Sequence, residues 1–159
     1  MKRRIGSAHW LALLLPAALL AGAYGSQIIG GMHPCEMCWW QRYPHFAAVA
    51  LALVALAVGN PAYRNALIAL AALAIATSGA IGGYHAGVEY GWWQGLTACT
   101  STISGSGDDL LKSIMEAPLV RCDVAPWTLF GISLAGYNFL LSVGGAIAIL
   151  MMIWKSPRA

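Results

Sequence analysis

Residues 35–58 read CEMCWWQRYPHFAAVALALVALAV, a pair of thiols followed by an apolar run. The run over 39–58 is close to the roughly 20 residues needed to cross a hydrocarbon core about 30 Å thick. Working outward, three more apolar stretches follow the same rule, at 9–29, 66–85 and 127–154. Between them lie a short segment at 30–38, a turn at 59–64 containing Asn60 and Pro61, and a long polar loop at 86–126. The composition agrees: 59% hydrophobic and 9% charged residues, with mean hydropathy +0.67, far from the roughly 25% charge of water-soluble domains. Backbone groups in hydrocarbon must bond internally, and no strand-like alternation is present, so each crossing is expected to be helical. The expectation is an all-α membrane protein: a four-transmembrane-helix bundle, one integral domain over 1–159, with two extracytoplasmic loops carrying the cysteines. There is no internal repeat, and no nucleic-acid partner is expected.

Charge placement sets the orientation, because basic residues near the ends of spans stay on the cytoplasmic side. Lys2, Arg3, Arg4, Arg64, Lys155 and Arg158 fall on one side, six of the nine basic residues. The other side holds Arg42, Lys112 and Arg121 with all six acidic residues, and all four cysteines. Lys2 to Arg4, an apolar core and Ala21-Gly22-Ala23 also have the three regions of a cleaved signal peptide. The apolar run continues through Ile28 and Ile29, which favours a retained span, and the cysteines face outward in either case.

Thiols outside the cytoplasm oxidise, and Cys35, Cys38, Cys99 and Cys122 allow three pairings. Structural staples are one reading. A Cys-x-x-Cys ring is too small to constrain the unfolded chain much, so such a pair is more often redox-active or metal-binding. Trp39 stands where covalent haem attachment needs histidine, and Cys99 and Cys122 are too far apart for a four-cysteine zinc site. A soft-metal site, with Met32, His33, Cys35, Met37 and Cys38 as copper(I) ligands, stays open, and with it a copper-binding or copper-transport function.

A helix beginning near Pro34 puts Cys35, Cys38 and Arg42 on one face, at i, i+3 and i+7. A guanidinium one turn from Cys38 and the positive helix N-terminus both favour a thiolate there. Starting the helix at Pro44 would leave it too short to span, so Pro44 is expected inside it as a kink. Arg42 at this depth is either a snorkelling anchor or a binding group. Trp39, Trp40 and Tyr43 are either an interfacial belt or, with the cation and thiolate, a surface for a flat carbonyl-bearing acceptor such as a quinone.

The run from Cys35 to Arg42, the segment from His85 to Glu89 leading to Cys99, and Arg121-Cys122-Asp123 ahead of Trp127 and Gly131 resemble the disulfide bond formation protein B family, DsbB. The resemblance covers nearly the whole chain. It implies a thiol oxidase of the bacterial inner membrane, multi-pass, with its cysteines facing the periplasm. Such an enzyme reoxidises a periplasmic thioredoxin-like partner, DsbA, and passes the electrons to ubiquinone or menaquinone. By position, Cys99 resembles the cysteine attacked by the partner, and Cys122 the one that leaves and attacks Cys35. Cys38 resembles the thiolate facing the quinone, and Arg42 and His85 resemble residues beside it. Gln41 stands where some members carry glutamate, which puts a carboxylate role there in doubt. His45, on roughly the same helix side as Arg42, matches no family role. Vitamin K epoxide reductase-like enzymes share the chemistry but resemble these motifs less.

Residues 97–107 are rich in Ser, Thr and Gly, which predicts an accessible Cys99. Asp108 is expected to cap a short helix with Leu110, Leu111, Ile114 and Met115 on one side, resting on the membrane surface. Gly79 and Gly83, with Gly82 beside them, allow close helix approach, and Asn138 is expected to bond between helices rather than to bind ligand.

Overall fold

A computed structural model describes residues 6–97 and 120–155. Among these residues are four helices, α1 (Ser7–Ile28), α2 (Glu36–Ala57), α3 (Pro61–Glu89) and α4 (Leu134–Lys155), and one two-stranded hairpin, β1 (Thr128–Leu129) with β2 (Ile132–Ser133). Cys99 and the capped helix expected after Asp108 lie outside the described residues.

Local chemistry sets the helix starts. Cys35 is the extended N-cap of α2, and its sulfur accepts from the Cys38 backbone N–H at 3.3 Å. Asn60 caps α3 through the Ala62 N–H at 2.9 Å, with Pro61 in the first turn, where a missing N–H costs nothing. Ser133 Oγ accepts from Gly136 N–H at 3.1 Å at the head of α4. Pro44 lies inside α2, as the length argument required. The last helix starts later than the apolar run predicted, because Phe130 and Gly131 both take positive φ, 50° and 77°, and turn the chain into a hairpin. Tyr90 ties that hairpin to the end of α3: its hydroxyl donates to Gly131 O at 3.1 Å and accepts from Ser133 N–H at 3.1 Å. At the other boundary α3 runs through Glu89, which places His85 one turn inside its end.

The bundle has small residues inside and large ones outside. Ala12, Ala48, Ala52, Ala55, Ala71, Ala72 and Ala146 fill the core with Ile68, Ile75 and Ile149, while Leu53, Val54, Leu70, Leu73, Leu141 and Ile147 are about half exposed. Water would penalise that distribution, and lipid does not, because close backbone approach is what small residues contribute in a bilayer. Helices α1, α3 and α4 are each long and apolar enough to cross a membrane, which fits a multi-pass membrane protein. Helix α2 has the same length as α1, 22 residues, but carries Gln41, Arg42 and His45 buried on its inner face.

Helix α3 is central and packs on both α2 and α4. Its glycines make the approach possible: a Cβ on Gly79 would stand 3.0 Å from the Ser142 Cβ, and one on Gly83 would stand 2.9 Å from the Phe139 ring. At Gly82 a Cβ would meet Asn138 Nδ2 at 2.9 Å, Ala135 O at 3.0 Å and Gln41 Oε1 at 3.1 Å. The backbone oxygen cannot swing away. Gly82→Ala is therefore expected to destabilise the bundle by about 1–3 kcal/mol, read as a lower midpoint of thermal unfolding in detergent. An unchanged midpoint would mean that α3 and α4 separate at no cost.

Candidate functional site

The N-terminal turn of α2 presents two sulfurs to each other. Cys35 Sγ and Cys38 Sγ are 2.8 Å apart as free thiols, so less than about 1 Å of movement brings them to the roughly 2.05 Å of a disulfide. Cys35 is buried, in one cluster with Met37, Val88 and Cys122. Its thiol is pushed up from the ordinary value, first by the hydrogen bond to Cys38 and then by burial. Cys38 is therefore the sulfur of the pair better placed to carry negative charge.

Cys122 comes from the far loop yet is fully buried in that cluster, with Thr97 Oγ1 donating to its sulfur at 3.4 Å. Its neighbours Arg121, exposed, and Asp123, partly exposed, form a two-bond pair at 2.9 and 2.6 Å, and Arg121 holds the Asp123 carboxyl below the usual carboxylate range. The structure thus joins three of the four cysteines at one end of the bundle, and Cys99 lies outside the described residues.

His85 reaches the dithiol from α3. Its Nε2 stands 3.6 Å from Cys35 Sγ and 3.8 Å from Glu89 Oε1, one turn further along the same helix. Its other nitrogen, Nδ1, is 2.8 Å from Gln41 Nε2, which also donates to Met37 O at 3.3 Å. An amide nitrogen only donates, so His85 Nδ1 accepts, and its single ring proton sits on Nε2 facing the sulfur and the carboxylate. The Gln41 orientation is fixed from the other side, because its Oε1 accepts from Asn138 Nδ2 at 2.8 Å. Asn138 in turn accepts at Oδ1 from Ser142 Oγ and from His45 Nε2, both at 2.9 Å. One connected chain of hydrogen bonds runs from Cys35 through His85, Gln41 and Asn138 to His45.

Arg42 points from α2 toward α1. Its guanidinium lies 4.7 Å over the Tyr24 ring and 4.9 Å over the Trp39 ring, donating to Gln27 Oε1 at 2.8 Å and Ala23 O at 3.2 Å. It is 6% exposed and has no carboxylate partner among the described residues.

Two cavities flank the dithiol. One, of about 380 Å³, opens above it between Gly31, His33, Cys35, Cys38, Arg121 and Val124. The other, of about 220 Å³, runs beside α2, with walls from Leu19, Leu20 and Leu134 and polar atoms from Cys38, Arg42, His45 and His85. That is several times the roughly 30 Å³ share of one water. A flat ring with carbonyl oxygens fits this donor set: apolar walls for its faces, Arg42 as a charged donor, and the Cys38 sulfur at one edge.

The sequence reading placed Cys35, Cys38, Arg42, His85 and Cys122, and the structure brings all five to one end of the bundle. It missed Glu89, whose i+4 spacing from His85 was the available signal, and it missed the tie between Gln41 and His85, for which the sequence holds none. Asn138 bonds between helices as expected. Of the soft-metal set, Cys35 and Cys38 lie together with His85, which that set did not include, their ligand atoms within 4.8 Å of one another, whereas Met37 is fully buried against Val88 and Cys122.

A dithiol at a helix N-terminus, backed by a second buried cysteine on a membrane bundle, is the equipment of a membrane disulfide oxidoreductase. The profile of the family described as Disulfide bond formation protein DsbB matches residues 4–152, and the chain belongs to that family. It is similar to Disulfide bond formation protein B of Methylococcus capsulatus (strain Bath), at 30% identity over 93% of both chains. It is also similar to the protein of that name in Polaromonas sp., at 30% identity over 93% of this chain and 90% of the relative. The likeness to Disulfide bond formation protein B of Marinobacter nauticus is 26% over 93% and 92%. No solved structure matches the chain at a significant level. Membership makes this a disulfide bond formation membrane protein with disulfide oxidoreductase activity.

Proposed function

We propose that this protein oxidises a periplasmic thioredoxin-like dithiol protein of the DsbA type through its two cysteine pairs and delivers the electrons to a membrane quinone. All four helices cross the bacterial inner membrane, with both cysteine loops in the periplasm. The observation that carries the reading is the buried contact cluster of Cys35 and Cys122, which come from different loops and have no reason to meet in a pair of independent staples.

The exchange begins with the Cys99–Cys122 bond oxidised. A partner thiolate attacks Cys99, forming a mixed disulfide and releasing Cys122 as a thiolate. Cys122 attacks Cys35 of the Cys35–Cys38 disulfide, and Cys38 leaves as the thiolate. The partner's second thiol attacks its own sulfur in the mixed disulfide and frees Cys99, which attacks Cys122 and releases Cys35. The net result is one partner disulfide formed, with two electrons and two protons left on Cys35 and Cys38. A bound quinone supplies the two-electron, two-proton acceptor. Around it, Arg42 provides a fixed positive donor, the Leu walls exclude water, and His85 directs its Nε2–H toward the Cys35 sulfur.

In the purified protein mixed with reduced partner and a soluble quinone, quinone absorbance is expected to fall catalytically. Cys99→Ser is expected to abolish that turnover and to leave quinone reduction driven by a small dithiol, which reaches Cys35 and Cys38 directly. Loss of both activities would place Cys99 in the quinone step and refute the order of transfer. The Cys35, Cys38 and His85 cluster also favours a second reading, soft-metal binding. Untouched quinone with tight copper(I) uptake by the reduced protein would establish that one instead.

A further inference from the structure

His45 is a buried group that the thiol relay leaves unused. It lies seven residues beyond Cys38 on α2, about 10 Å deeper along the axis, and it lines the same 220 Å³ cavity. Its ring is 3% exposed and its Nδ1 has no hydrogen-bond partner among the described residues.

The surrounding bonds fix its tautomer. Asn138 Nδ2 donates to Gln41 Oε1 and to Ser78 O at 3.2 Å, so the Asn138 oxygen is the atom facing His45 Nε2. Ser78 Oγ, the other neighbour of Nε2 at 2.9 Å, commits its own proton to Gln41 O at 2.7 Å and is likewise an acceptor. Two acceptors at Nε2 require a proton there. Neutral His45 therefore has a bare lone pair at Nδ1. A buried acceptor without a donor is costly, and a ligand that brings a hydroxyl removes the cost.

We propose that Nδ1 of His45 accepts a hydrogen bond from a hydroxyl of the reduced, quinol form of the ring held in this cavity, so that the site distinguishes reduced from oxidised ligand at its inner end. The inference rests on the quinone reading above and adds a binding residue to it. The oxidised ring carries only acceptors there and gains nothing from a lone pair. His45 thus strengthens binding of the product relative to the quinone.

The test measures binding of a short-tailed benzoquinol and its quinone to the fully oxidised protein in detergent, without air, by tryptophan quenching. His45→Leu is expected to lower the quinol-over-quinone affinity ratio about fivefold to tenfold, the value of one hydrogen bond. An unchanged ratio, with both forms still bound, overturns the role of His45 alone. Binding of neither form to the wild-type protein overturns the quinone reading with it. Because leucine also removes the bond that Nε2 donates to Asn138 Oδ1 and its contact with Ser78 Oγ, nitrogen-15 spectra of histidine-labelled wild-type protein give an independent reading. The His45 Nδ1 signal is expected in its unprotonated form and to move with quinol but not with quinone. A protonated Nδ1, or a signal that ignores quinol, overturns the inference.

Discussion

Cys38→Ser is expected to lower quinone reduction by at least about a thousandfold while the protein still oxidises one equivalent of partner. The scale is that of removing an essential covalent nucleophile. The stoichiometry follows from counting bonds. With Cys38 gone, the only disulfide left is Cys99–Cys122, which takes two electrons from one partner molecule and then has nowhere to pass them. The remaining Cys35 thiol is no substitute. Its hydrogen bond to Cys38 is lost, but it stays buried beside Met37 and Val88, where the thiolate is disfavoured. Rapid mixing with reduced partner, followed by thiol alkylation and mass measurement, should give one oxidised partner per protein and no further progress. Continuing turnover in the serine variant would remove Cys38 from the electron path and leave Cys35 as the donor.

The element count was legible because lipid imposes a coarse rule. Apolar runs near 20 residues, separated by Gly, Pro and charge, map onto α1 to α4 with boundary shifts of a few residues at most of their ends. The exception is residues 127–133. Their side chains are as apolar as the helix that follows, and only the backbone sign of φ at Phe130 and Gly131 separates hairpin from helix. The dithiol and Arg42 were legible for a different reason: i, i+3 and i+7 spacing on one helix is a local property. His85, and the attack of Cys122 on Cys35, entered through family resemblance, since nothing local says that these residues meet. The polar network was not legible. Gln41, His45, Ser78, Asn138 and Ser142 come from three helices, and their hydrogen bonds depend on helix rotation, which no periodicity in an Ala-rich span encodes. Gly82 is the connecting clue in hindsight, because the side chains of Gln41 and Asn138 meet in the space where it lacks a Cβ.

Arg42→Met tests whether the buried guanidinium binds ligand or only anchors α2. Methionine keeps much of the apolar stem and removes the charge. Two of the five guanidinium N–H groups are used by Gln27 and Ala23, which leaves donors for the cavity it lines. Stacking on Tyr24 and Trp39 holds the plane in place without neutralising it, and no carboxylate competes for it among the described residues. A charged hydrogen bond to a carbonyl oxygen is worth roughly 1.5–3 kcal/mol, so the KM for a soluble quinone is expected to rise about tenfold to a hundredfold. Oxidation of the first equivalent of partner should be unaffected, since that step is exchange among cysteines and needs no bound quinone. Arg42→Lys should recover only part of the loss, because an ammonium keeps the charge but not the planar fork that the two rings hold. A purely anchoring arginine gives the opposite pattern: lysine snorkels as well as arginine does and restores full activity, while methionine lowers stability and leaves KM where it was.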